Sequence, residues 1–194
     1  MPLTTYTAGE VLTAASLNAN FTFAAGNSGL TLISATSFSA VTSVSVNSCF
    51  TSTYANYRVV FSNMTYAATS GTTDTTLRMR AAGTDNSSAN YDFARTFGGS
   101  TSTVGGGASL AATSFLLASG AAVVTHEGSF DMLDPQNTAK TGLFAQTIMR
   151  ESTTAYVANT SGLTTVTTAY DGFTLLCSNG NFAGTVRVYG YKNS

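Results

Sequence analysis

Residues 171–194, DGFTLLCSNGNFAGTVRVYGYKNS, alternate apolar and polar side chains on either side of a short turn of Asn and Gly. Phe173 and Leu175 share one face of the first run, and Val186 and Val188 share one face of the second. Period-two alternation indicates β-strands, and Asn and Gly adopt the positive φ of a tight turn at little cost. The stretch therefore predicts a β-hairpin whose last strand closes a β-sandwich instead of lying at its edge.

Runs of the same kind fill most of the chain from Leu30 onward. Apolar side chains occupy every second position in 57–61, and the run 141–151 places four side chains on one face: Phe144, Gln146, Ile148 and Arg150. About nine or ten such runs without a fixed repeat period are typical of a sandwich, not of a propeller or β-helix. The sequence predicts an all-β fold, a jelly-roll-like antiparallel β-sandwich over residues 30–194.

The middle of the chain holds a glycine-rich segment, GGSTSTVGGG, at 98–107. This composition predicts a surface loop, and 109–119 after it predicts a single strand. No lysine and no βαβ pattern surround the glycines, so they do not predict a phosphate-binding loop.

Residues 1–29 differ from the rest and form a separate N-terminal segment. The part up to Leu12 predicts an extended chain, and Thr13 is placed to cap a helix that begins at Ala14. Leu17 and Phe21 follow at helical spacing, and the glycines of GNSG then end the helix. A helix of about twelve residues is marginally stable alone in water, so it must pack on its own domain, a sister chain or a partner.

The composition excludes several classes of function. Only 9% of the residues are charged, against about 25% in ordinary domains, and the net charge is −1 without any basic run. Nucleic-acid binding is therefore not expected, because it needs clustered Lys and Arg. No apolar run is long enough for a membrane-spanning helix, and no signal peptide is recognisable. Cys49 and Cys177 lie in apolar strand contexts and are expected to be small buried side chains, the alternative being a disulfide.

The residues offer little for catalysis, so we expect no enzymatic activity, no cofactor and no metal site. The single histidine, His126, precludes a multi-histidine site, and no nucleophile elbow accompanies it. The nine carboxylates fall mostly where turns are expected, which is the ordinary place for Asp.

Sugar binding is a weaker hypothesis. Tyrosine rings can stack on sugar rings, and Asp or Asn side chains can bond sugar hydroxyls. The candidates for glycan contact are Tyr66, Asp85, Asn86, Tyr91 and Tyr156. The alternative interpretation is that these tyrosines pack in the core or at an interface.

Both ends of the chain resemble proteins of tailed-bacteriophage particles. GTVRVYGY at 184–191, preceded by DGF at 171–173, resembles the last strand pair of small β-sandwich proteins that occur there as tail fibre, tail tip or head-decoration components. YTAGEVLTAASLN at 6–18 resembles the opening segment of phage tail fibre and virion-attachment proteins, which joins a subunit to the particle or to its sister chains.

The resemblance implies a virion location after assembly in the bacterial cytoplasm. It also implies a homotrimer whose other partners are virion proteins and, at the tail, a host surface glycan. Five side chains of the N-terminal segment are the candidates for attachment or oligomerisation: Tyr6, Val11, Leu12, Leu17 and Phe21. The alternative is a helix laid across one end of the sandwich.

Three functions follow as hypotheses. The first is a short fibre or tip protein attached through its N-terminus. The second is a capsid decoration or cement protein that stabilises the head. The third is a carbohydrate-binding β-sandwich that belongs to no particle.

Overall fold

The computed structural model describes six stretches of the chain: 4–26, 29–67, 71–100, 104–121, 125–151 and 154–192. In them the chain forms one helix and two antiparallel sheets that pack face to face. The predicted all-β sandwich is confirmed. No helix in these stretches has the length and apolarity that crossing a membrane requires.

The described stretches contain one helix and thirteen strands. Their bounds are α1 (Ala14–Gly26), β1 (Leu30–Val41), β2 (Ser43–Val46), β3 (Asn56–Tyr66), β4 (Thr72–Ala81), β5 (Thr84–Asp85), β6 (Tyr91–Gly99), β7 (Gly105–Ala112), β8 (Phe115–Ala121), β9 (Thr125–Leu133), β10 (Gly142–Arg150), β11 (Ala155–Thr164), β12 (Gly172–Cys177) and β13 (Phe182–Tyr191).

The strands divide into a large and a small sheet. The large sheet has the order β1-β13-β3-β9-β10-β11-β6-β7. In the small sheet β2, β12 and β4 are neighbours, and β5 and β8 both pair with β4. The chain passes repeatedly from one sheet to the other, as a jelly-roll-like sandwich requires.

The last two strands do not form the predicted hairpin. β12 lies in the small sheet, where Leu175 pairs with Val44 and with Leu77, whereas β13 lies in the large sheet. Both strands turn an apolar face to the core, but from opposite sides of it. The turn between them therefore crosses the sandwich, with Gly180 at a φ of 75°. The expectation that the last strand is internal is confirmed, because β13 lies between β1 and β3.

The core between the sheets is rich in aromatic rings. Phe130 of the large sheet meets Phe173 of the small sheet edge to face, with ring centroids 5.5 Å apart. Phe50 lies 4.8 Å from the ring of Tyr57, and these four side chains are at most 1% exposed. Offset and edge-to-face pairs add to the free energy of burial, so the rings join the two sheets.

The described residues of the glycine-rich segment are mostly strand. β6 continues to Gly99 and β7 begins at Gly105, where Phe97 and Gly105 are paired; positions 101–103 of the predicted loop lie outside the described residues. The predicted single strand over 109–119 is wrong, because β7 ends at Ala112 and β8 begins at Phe115 in the other sheet. Ala111, at a φ of 51°, lies where the pairing of β7 with β6 shifts register.

The N-terminal helix begins as predicted. The Thr13 hydroxyl accepts a hydrogen bond from the Ser16 amide at 3.2 Å, which satisfies one of the free amides of the first turn. The Asn20 side chain bonds both the amide and the carbonyl of Thr4, at 2.9 and 3.0 Å. The extended chain is thus fastened alongside its own helix. Positions 1–3 and 27–28 of this segment lie outside the described residues.

Candidate functional site

The N-terminal segment exposes large apolar side chains. Val11, Leu12 and Phe21 are 84%, 50% and 63% exposed, while Tyr6 and Leu17 are half-buried. Exposed apolar side chains of this size can pack against another molecule, so attachment through this segment stays a prediction.

Two of the predicted glycan contacts are wrong, because Tyr66 and Tyr91 are 7% and 0% exposed. The Tyr66 hydroxyl shares a buried hydrogen bond with Thr75. The Tyr91 hydroxyl accepts a bond from the Met79 amide at 3.0 Å and donates to the Asn86 carbonyl at 2.7 Å. Their alternation in sequence fitted strands, but only the packing of the second sheet shows that they face inward.

The other three predicted glycan contacts do not gather into one site. Asp85 pairs with Arg80 and accepts a hydrogen bond from Thr174 at 2.7 Å, and the Asn86 amide donates to the Tyr170 hydroxyl at 2.7 Å. Asp85 and Asn86 line a hollow of 250 Å³, but their polar groups are engaged within the protein. Tyr156 lines a separate hollow of 130 Å³.

His126 is a core side chain with 0% exposure. Its Nδ1 lies 2.9 Å from the Thr75 hydroxyl, and its ring centroid lies 4.4 Å from that of Tyr66. Burial lowers the pKa of His126 to about 4, so the ring is neutral at pH 7. A substrate has no access to it. Among the described residues no three His, Cys, Asp or Glu side chains come close enough to hold a metal ion.

A row of uncharged polar side chains crosses the outer face of the large sheet. Gln146 on β10 is paired with Ser129 on β9 and with Asn159 on β11, and Asn159 is paired with Thr96 on β6. Gln146, Asn159 and Thr96 are exposed, and Ser129 is half-buried. We call these four residues the polar row.

Apolar side chains flank the polar row on both sides. Phe144, two positions before Gln146 on the same face, is 55% exposed. On the other side Ile148 is paired with Val157, and these side chains are 43% and 52% exposed. The residues between them on β10, Ala145 and Thr147, point into the core and are buried. The outer face therefore combines hydrogen-bonding groups with apolar platforms.

Three hollows adjoin along this face. Their volumes are 640, 220 and 470 Å³, and Asn159 lines all of them. Gln146 and Ser129 line the first two, and Val157 joins the first to the third. The hollows form one groove that crosses the strands along the polar row, and we call it the outer groove.

Two ion pairs flank the outer groove. Arg58 Nε lies 3.8 Å from an Asp131 carboxylate oxygen, and its guanidinium donates to the Ser129 hydroxyl at 3.1 Å. The Tyr191 hydroxyl donates to Asp131 at 2.8 Å. Arg150 pairs with Glu127 at the other side. The groove can bond and pack against a ligand, and the described residues place no activated nucleophile in it.

Sequence reasoning found only part of this face. The alternation of 141–151 predicted that Phe144, Gln146 and Ile148 share one side, and the structure places them together on the outer face. The polar row was missed, because it depends on the register between β9, β10, β11 and β6. The only signal that the sequence offered for the polar row was the carboxamide side chain of Asn159 between Ala158 and Thr160.

Comparison with known proteins gives no relative: the chain matches no protein-family profile, no curated protein and no solved structure.

Proposed function

We propose that this chain is a non-enzymatic structural component of a tailed-phage particle. In this proposal it is a short fibre or tip protein, attached through its N-terminal segment and exposing the sandwich. The resemblances at 6–18 and 184–191 motivate the assignment. The observation that carries it is the N-terminal segment, which is folded and capped but leaves Val11, Leu12 and Phe21 exposed.

The physical argument concerns the stability of that segment. α1 has 13 residues, a length at which an isolated helix is marginal. Burying one large apolar side chain contributes about 1.5–3 kcal/mol, so covering Leu12 and Phe21 would stabilise the folded N-terminal segment substantially. A virion protein or a sister chain of a homotrimer would supply that cover.

The sandwich suits an exposed position on a particle. Its described ion pairs are few, Arg58–Asp131, Arg80–Asp85 and Arg150–Glu127, and the chain carries only 9% charged residues. Surface ion pairs weaken as salt rises, whereas buried apolar surface does not depend on them. A fold held by its aromatic core keeps its stability in water of variable salinity.

A head-decoration protein is the second candidate, because the same exposed side chains would also clamp a capsid lattice. Gold-labelled antibodies against the sandwich, applied to particles from cells that carry the gene, separate the possibilities by electron microscopy. Label at the tail supports the fibre or tip assignment. Label over the head supports decoration, and unlabelled particles contradict both.

The homotrimer is tested by light scattering on the full-length chain. The expected mass is three times the 19.9 kDa of the chain. The same measurement on a Val11→Ser/Leu12→Ser/Phe21→Ser variant locates the contact. Monomers would place the trimer contact in the N-terminal segment, and a persistent trimer would place it in the sandwich. Wild-type monomers would contradict the trimer.

A further inference from the structure

We propose that the outer groove binds an uncharged polysaccharide, which lies across the strands along the polar row. This inference deepens the proposed function by naming what the exposed sandwich recognises, but its grounds are the residues of the groove. These residues differ from the five glycan contacts that the sequence suggested.

The first ground is unused hydrogen-bonding capacity. Within the described residues, the side-chain amides of Gln146 and Asn159 have no protein partner, although they lie opposite each other at the centre of the sheet. Each carboxamide offers two donors and an acceptor. Sugar hydroxyls both donate and accept. Of two neighbouring hydroxyls, one can therefore donate to the carbonyl oxygen of the amide while the other accepts from its NH₂ group. Thr96 extends this capacity on one side. On the other side the Ser129 hydroxyl accepts from Arg58 and keeps its own proton to donate.

The second ground is spacing. Adjacent strands lie about 4.8 Å apart, so the four residues of the polar row present hydrogen-bonding groups at regular steps over about 14 Å. A polysaccharide is a chain of rings that carry hydroxyls at a regular interval of similar size. A linear polymer lying across the strands would therefore meet one polar side chain after another, and a compact ligand would reach only one or two.

The third ground is the apolar border. Phe144, Ile148 and Val157 are exposed by 55%, 43% and 52% on the two sides of the polar row. Sugar rings have apolar C–H faces beside their hydroxyls, and sites for such ligands pair apolar walls with a few directed polar groups. An aromatic ring at this position offers a rigid surface on which a sugar ring can stack.

The fourth ground is charge. Asp131 compensates Arg58 at one side of the outer groove, and Glu127 compensates Arg150 at the other. The polar row itself carries no charge. An anionic polymer would meet the carboxylates of Asp131 and Glu127 at the two sides and no cation at Gln146, Asn159 or Thr96, so an uncharged polymer fits better.

A second copy of this chain fits the face less well. A dry interface would remove Gln146 and Asn159 from water, and a buried amide without a partner costs about 1–3 kcal/mol. A polysaccharide instead brings hydroxyls to these groups and leaves water around it.

The test uses an array of neutral oligosaccharides, namely cello-, xylo-, manno-, galacto- and laminari-hexaose, with polygalacturonate as the anionic probe. Full-length wild type is compared with a Gln146→Ala/Asn159→Ala variant. The matched control is Asn181→Ala, since Asn181 is an exposed amide in the β12–β13 turn, away from the groove.

We expect wild type and Asn181→Ala to bind the same neutral series. The double variant should bind it at least about tenfold more weakly, which corresponds to the loss of one or two hydrogen bonds. Both side chains are exposed, so its melting temperature should equal that of wild type.

Three results would overturn the proposal: no neutral series binds, polygalacturonate binds best, or the double variant binds as well as wild type. An Ile148→Asp/Val157→Asp variant that changes an oligomer into monomers would also overturn it, because the face would then join copies of the chain. The outcome is independent of the particle experiment. Binding without particle association would contradict the proposed function alone.

Discussion

Gln146 and Asn159 are direct neighbours across β10 and β11, and both amides face away from the core. Their sequence neighbours on the two strands, Thr147 and Ala158, are buried. The most central position of the large sheet's outer face is thus polar and uncharged while the borders are apolar. The proposed polysaccharide site rests on this arrangement of directed polar groups between apolar side chains.

Phe144→Ala should weaken oligosaccharide binding by about fivefold, since an aromatic contact is worth about 1 kcal/mol. The free energy of unfolding should change little, because the ring is 55% exposed. Titration calorimetry with the best hexaose of the array measures the change. Leu32→Ala is the matched control, with a side chain 54% exposed on the edge strand β1. Equal losses in both variants would contradict the stacking role of Phe144.

Acid should destabilise the fold through His126. Burial holds the folded-state pKa of His126 at about 4, below the ordinary value of about 6.5, so only the unfolded state takes up a proton between these values. Above pH 6.5 the ring is neutral in both states and does not change the free energy of unfolding. Between pH 6.5 and pH 4 the free energy of unfolding falls progressively, by about 3 kcal/mol in all.

Urea unfolding at pH 7 and pH 5 measures this effect, because most carboxylates remain ionised in that range. His126→Gln should show a smaller difference between the two pH values, although its stability at pH 7 is lower. Equal stability of wild type at pH 7 and pH 5 would contradict a buried neutral histidine.

Gly190→Ala should destabilise the sandwich by about 1–3 kcal/mol, the usual cost of overpacking. A Cβ at this position would overlap the ring of Tyr54, which packs over the glycine of β13. Gly107→Ala is the control, because nothing lies within 4 Å of a Cβ there. Urea midpoints measure both variants, and similar values would show that the Tyr54 ring moves aside freely.

The two cysteines should be present as thiols of low reactivity. Cys49 is buried, and burial raises the pKa of its thiol to about 12; burial also raises the pKa of Cys177. Because the thiolate is the reactive form, Ellman's reagent at pH 8 should label Cys49 only after unfolding, and half-buried Cys177 slowly. Rapid labelling of two thiols in the native protein would contradict this packing.

Local features were predictable from the sequence, whereas contacts between distant segments were not. The Thr13 cap and the shared face of Tyr57 and Val59 depend on neighbouring residues, and they were predicted correctly. The alternation around Phe173 and around Val186 correctly predicted two strands, but it did not predict the strands with which they pair. A turn of suitable residues permits a hairpin, but it does not require one. Here β12 pairs with β4 and β13 pairs with β3, so the two strands are not paired with each other.

The candidate site shows the same limit. Alternation does not say which face of a strand meets the second sheet, so the sequence left Tyr66 and Tyr91 as either glycan contacts or core side chains, and the structure buries them. The polar row combines residues from 96 to 159, which only the register of four strands brings side by side.

Particle attachment through the N-terminal segment is tested most directly by the amount of this chain in density-banded phage particles. Particles assembled without the native chain would receive wild type, Leu12→Ser/Phe21→Ser or Phe144→Ala. We predict that wild type and Phe144→Ala band with the particles in a fixed ratio to the major capsid protein, and that the N-terminal variant stays in the soluble fraction. Wild-type chain left entirely in the soluble fraction, or an N-terminal variant that bands as wild type does, would contradict the account.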